Sequence, residues 1–91
     1  MNEAEAKLIL SKELRDFAAR PYAKLVELIS RPEVKSISID SGVNYQIELN
    51  VFWDSKPEKN LRIMGSIDDG GWRAFIPLTE SLIMKPDGTL I

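Results

Sequence analysis

The chain has 91 residues, 44% of them apolar and 29% charged, and a formal net charge of −2 from 12 basic and 14 acidic side chains. That is the profile of one folded domain and not of a disordered segment. Cysteine and histidine are both missing, which excludes disulfides, thiolate nucleophiles and the usual general base near neutral pH.

The charges form no block of one sign, so nothing suggests a nucleic-acid partner. The first residues, Met1-Asn2-Glu3-Ala4-Glu5, are acidic and lack the basic start and apolar run of a signal peptide. No apolar stretch approaches the ~20 residues that cross a bilayer as a helix. The expectation is a cytoplasmic protein with no membrane partner.

Asn2 followed by Glu5 reads as a capping box, with Asn2 as N-cap and Glu5 reaching back to its backbone N–H. Ala6, Leu10, Leu14, Phe17 and Ala18 then recur at three- and four-residue spacing, the mark of an amphipathic helix. Asp16 and Arg20 stand four apart and are expected to pair on the wet side. The apolar stripe continues past Pro21 through Leu25, Leu28 and Ile29. Proline disfavours helical geometry in Arg20 but suits a first helical position, so two helices and one kinked helix fit equally well. Arg31-Pro32 stops the helical pattern.

Residues 34–39 predict a short strand with Ile37 and Ile39 on one face. Asp40-Ser41-Gly42 predicts a three-residue hairpin loop with Gly42 left-handed. In the next strand Val43, Tyr45, Ile47, Leu49, Val51 and Trp53 point one way, and Asn44, Gln46, Glu48 and Asn50 point the other. A wet outer face of that kind indicates an antiparallel sheet covered on one side. Residues 54–60 form a polar connection expected to be mobile at its tip.

Leu61, Ile63, Gly65 and Ile67 alternate with Arg62, Met64, Ser66 and Asp68, and beyond Asp69-Gly70 Trp72, Ala74, Ile76 and Leu78 alternate with Arg73, Phe75 and Pro77. Asp-Gly suits a type I′ turn, which predicts a tight hairpin with Ile67 opposite Trp72, Gly65 opposite Ala74 and Ile63 opposite Ile76. Trp72 is then expected to be buried. Pro77 cannot donate a ladder hydrogen bond and is expected to end that strand or lie at an edge. Leu82-Ile83-Met84 and Thr89-Leu90-Ile91 flank the turn Pro86-Asp87-Gly88, which predicts a second small hairpin. The chain ends on two apolar residues, so either the last strand stops there or the polypeptide continues. The expected fold is α+β: an N-terminal helix, or kinked helix pair, on one face of a four- to six-stranded antiparallel meander.

Asp68 and Asp69 are the one adjacent pair of carboxylates. Neighbours in a strand point to opposite faces, so the plain reading is that Asp69 fills the turn and Asp68 is solvated. The functional reading is a ligand-binding or hydrolytic site at the hairpin built from Asp68, Asp69 and Trp72, with Arg73 beside them. Gly65 facing Ala74 reads as close packing before it reads as a pocket. Gly70-Gly71 lacks the lysine and the helix start of a phosphate loop. Serines such as Ser66 have no histidine to activate them. On the outer face Phe52, Met64 and Phe75 lie beside Arg62 and Arg73. Aromatic residues, methionine and arginine are enriched at interfaces. Against that stands burial under a later segment, or ordinary scattered exposure.

The stretch Met64-Gly65-Ser66-Ile67-Asp68-Asp69-Gly70-Gly71-Trp72-Arg73-Ala74-Phe75, with Phe52-Trp53-Asp54 and Ile83-Met84-Lys85-Pro86-Asp87-Gly88, resembles a family of small uncharacterised bacterial proteins. The likeness covers roughly the C-terminal half and implies a bacterial source, with no activity or site residue to carry over. The residues themselves favour a non-enzymatic protein-binding module, an adaptor, inhibitor or immunity-type protein. It would use a sheet face or edge toward a protein partner or itself, with no cofactor and no metal. The alternative is a small-molecule-binding or hydrolytic domain at the hairpin. A pocket lined by the hairpin residues would favour the alternative, and a flat surface the module.

Overall fold

The Asn2 side chain accepts the Glu5 backbone N–H at 3.1 Å and opens helix α1, Glu3–Ala18. The structure, a computed structural model, describes residues 1–71 and 77–91. After α1 come α2 (Tyr22–Val26) and strands β1 (Glu33–Ser38), β2 (Asn44–Trp53), β3 (Leu61–Asp68) and β4 (Leu78–Met84). The strands form one antiparallel sheet in the order β1-β2-β3-β4, each beside its neighbour in sequence. The α+β meander with helices first is the architecture read from the sequence.

The buried residues of α1 are Ala6, Leu10, Leu14, Phe17 and Ala18, the stripe that its spacing marks. They rest chiefly on β3 and β4. The capping box is half formed, because Glu5 Oε1 takes a hydrogen bond from the Tyr45 hydroxyl at 2.7 Å. The helical segment is two helices, and Pro21, with φ −58° and ψ 147°, stands just before α2 in extended geometry. The expected Asp16–Arg20 pair does not form. Arg20 lies past the end of α1, where the four-residue helical spacing no longer brings it back to Asp16. Lys12 takes Asp16 at 2.7 Å, while Arg20 covers the Phe17 ring and binds Glu33 at 2.9 Å.

The β1–β2 hairpin closes as expected. Gly42 has φ +88°, its N–H bonds Ile39 O, and Ile39 N–H bonds Val43 O. Tyr45, Ile47, Leu49 and Val51 are buried under the helices, as are Leu61, Ile63 and Ile67 of β3. Val51 also forms a parallel bridge with Ile29, which ties the end of the helical segment to the sheet.

The strand that pairs with β3 is not the one the turn chemistry suggests. Ile67 faces Leu78, Gly65 faces Glu80 and Ile63 faces Leu82, so the hairpin register through Trp72, Ala74 and Ile76 is corrected. Two causes are visible. Asp69 is not left-handed, because the only non-glycine residues with positive φ among those described are Ser30 and Glu58. A type I′ turn needs positive φ at both central positions, so none forms here. In addition, both registers put the same apolar positions inward, and alternation alone cannot separate them. Pro77 directly precedes β4, and the strand it is expected to end lies outside the described residues. The expected burial of Trp72 lies outside the described residues.

Gly65 allows a close approach. A Cβ there would stand 2.9 Å from Leu10 Cδ1 and 3.2 Å from Leu49 Cδ2. Across the ladder from Gly65 stands Glu80, a half-buried carboxylate at an inward position of β4. Its Oε2 is buried and has no hydrogen-bond partner among the described residues. The small C-terminal hairpin forms as expected. Asp87 accepts Thr89 N–H and the Thr89 hydroxyl, Gly88 has φ +89°, and Leu90 bridges to Met84.

Candidate functional site

Alternation along β2, β3 and β4 sends Phe52, Arg62 and Met64 to the sheet face away from α1, joined there by Ile83. Phe52 stands opposite Arg62, which stands opposite Ile83; in the next row Asn50, Met64 and Ser81 align. Phe52 is 46% exposed, and Met64 and Ile83 are half-buried. The Arg62 guanidinium is held in place. Its Nε and Nη2 donate to Asp54 Oδ1 at 3.2 and 3.0 Å, and Nη1 donates to Ser81 Oγ at 3.2 Å. The structure thus brings three of the five expected surface residues together, while Arg73 and Phe75 lie outside the described residues. Ile83 belongs to the same row and was missed, although its place one residue before the inward Met84 signals it.

Toward the other end the face turns polar. The Ser36 hydroxyl donates to Gln46 Oε1 at 2.9 Å, and Asn50 Nδ2 donates to Glu48 Oε1 at 2.9 Å. Ser38 and Asn44 also share a hydrogen bond at 2.5 Å. A depression of about 380 Å³ lies here, lined by Val34, Gln46, Ile47, Glu48, Ser66, Asp68 and Pro77.

The carboxylates of the alternative site serve the backbone. Asp68 Oδ1 accepts Gly70 N–H at 2.8 Å, and Asp69 Oδ1 accepts Gly71 N–H at 3.2 Å. The Gly71 N–H, with the Met1 amino group 3.5 Å from Oδ2, holds Asp69 below the usual carboxylate range. The two carboxylates share no hydrogen bond, and of the pair only Asp68 lines the depression. Trp72, the third residue of that site, lies outside the described residues. No group of three or more acidic side chains among the described residues could hold a metal ion.

Two further features lie on the helix side. A groove of about 300 Å³ runs between α1 and β1, floored by Phe17 and Leu49. Ion pairs cross it, Glu13 to Lys35 at 2.6 Å and Arg20 to Glu33 at 2.9 Å. At the far end the fully buried Tyr45 ring reaches Glu5. The hydrogen bond to that carboxylate, with desolvation behind it, pushes the phenol up to about 12.

Compared with family models, curated proteins and solved structures, the chain matches none. No helix among the described residues is long and apolar enough to cross a membrane.

Proposed function

We propose that this chain is a non-enzymatic protein-binding module that presents the outer face of its sheet to another protein. The observation that carries the reading is the row Phe52, Arg62 and Ile83, with Met64 beside it, on the face opposite α1. A guanidinium already fixed by Asp54 and Ser81 loses little freedom on binding, and aromatic residues and arginine are enriched at interfaces. Arg73 and Phe75 belong to the same proposal from their sequence pattern. An adaptor, inhibitor or immunity-type role fits such a surface, since each acts by occupying another protein and needs no reacting group of its own.

The hairpin alternative has less to stand on. The Asp68 and Asp69 carboxylates each accept a turn N–H and share no hydrogen bond, so their geometry gives no support to a shared-proton pair. The test compares the native chain with Phe52→Asp, both immobilised, against the proteins they capture. Affinity for the captured partner should fall about ten-fold or more, with the circular dichroism spectrum retained. Undiminished capture by a folded Phe52→Asp chain would place the binding surface elsewhere.

A further inference from the structure

Among the described residues β1 has one neighbour, β2, and its other edge is free. The bond from Ile39 N–H to Val43 O sets the phase of this hairpin. Residues 33, 35 and 37 direct their N–H and C=O groups at β2, and Val34, Ser36 and Ser38 turn theirs outward. Val34 is 65% exposed on that edge. On the helix side of the same strand stand Glu33 and Lys35, opposite charges two residues apart. Each is fixed from its own chain, Glu33 by Arg20 and Lys35 by Glu13.

We propose that a second copy of this chain pairs antiparallel with β1 across a two-fold axis at Val34, making one continuous sheet. In that register Val34 meets Val34 of the second copy, and the two residues exchange backbone hydrogen bonds. Glu33 stands opposite Lys35 of the second copy, and Lys35 opposite its Glu33. Charge then alternates in sign across the junction: Arg20, Glu33, then Lys35 and Glu13 of the second copy. The Ser36 N–H reaches the Pro32 carbonyl of the second copy, and the ladder stops there because proline offers no N–H. Other two-fold registers are poorer in charge. An axis at Lys35 sets lysine against lysine, which is destabilising. An axis at Ser36 puts Glu33 opposite Ile39 and Lys35 opposite Ile37, and leaves no charge pair. Inward charges on an edge strand usually discourage pairing. Of the registers compared, they favour the one in which they complement each other. A monomer keeps the outer face of the sheet, so loss of the dimer leaves that surface intact.

The chain has no cysteine, so single substitutions report the register directly. Val34→Cys should form a disulfide-linked dimer on mild oxidation, because residues in a hydrogen-bonded antiparallel pair sit about 5.5 Å apart at Cα, within disulfide reach. Ser36→Cys should not, since the two sites would stand about 14 Å apart. In sedimentation equilibrium the native chain should run at twice the monomer mass. Val34→Pro removes only an outward N–H and should leave a folded monomer. Lys35→Glu should raise the dimer dissociation constant by about ten-fold or more. A native monomer at sub-millimolar concentration overturns the proposal. So does faster cross-linking of Ser36→Cys than of Val34→Cys, or a dimer that survives Val34→Pro.

Discussion

The two faces of the sheet are built from the same strands by different forces. Toward α1, Tyr45, Ile47, Leu49, Val51, Ile63 and Ile67 are all buried. Each such side chain contributes roughly 1.5–3 kcal/mol through removal from water. Away from α1, Ser36, Gln46, Asn50, Glu48, Arg62 and Ser81 bond one another in the open. Pairs of that kind contribute a few tenths to about 1 kcal/mol. Neighbouring residues of one strand therefore carry unlike weights: odd positions of β2 and β3 hold the fold together, and even positions lie outside the core.

The largest effect should come from the covered face. Ile63→Ala empties a site beneath α1 and should cost about 2–5 kcal/mol, read as a lower denaturant midpoint with an unchanged slope. A loss below about 1 kcal/mol would mean that α1 does not seal this face.

Next is Tyr45→Phe, which removes the one hydroxyl that the covered face sends to a carboxylate. It should cost about 1.5–3 kcal/mol at neutral pH. The pH dependence has a definite sign. The folded phenol titrates at about 12 against 10.0 unperturbed, so the folded state keeps its proton where the unfolded state loses it. That stabilisation is complete below pH 10 and is lost as pH rises through 12. Alkaline titration of stability should show a fall in this window that Tyr45→Phe lacks. A parallel fall in both proteins would remove Tyr45 as its cause.

Gly65→Val and Ser66→Val make the sharpest pair, being adjacent in β3 on opposite faces. The first forces side-chain bulk against Leu10 and Leu49 and should destabilise by about 1–3 kcal/mol. The second stays on the open face and should change stability by no more than about 0.5 kcal/mol. Equal effects measured by urea unfolding would break the distinction between the faces.

Where the sequence could be read, a local rule was enough. The stripe of α1 repeats at helical spacing, and the β1–β2 register follows from the left-handed Gly42 and a short loop. Phe52, Arg62 and Met64 share a face by alternation alone. Where it could not, two arrangements satisfied the same rule. Shifting the partner of β3 from the Trp72 segment to β4 keeps Leu61, Ile63 and Ile67 facing in. What sets β4 apart is Glu80, inward and opposite Gly65, and a lone acidic residue inside an apolar pattern argues against a strand when only the sequence is read. The partners of Arg20 and Glu5 come from distant segments, Glu33 and Tyr45, which no local spacing points to. The exposure of Val34 depends on β1 lying at the end of the strand order, a property of the assembled sheet.

The placement of α1 has a further consequence during synthesis. The helix is made before its main supports, since it rests chiefly on β3 and β4. Roughly 60 residues separate Ala18 from Leu78, and at ~5–20 residues per second a ribosome takes about 3–12 s to add them. Until Leu61 is reached neither β3 nor β4 exists, and Leu10, Leu14 and Phe17 have at most β2 to lie on. A nascent chain stalled in the polar connection between β2 and β3 leaves that stripe open to chaperones.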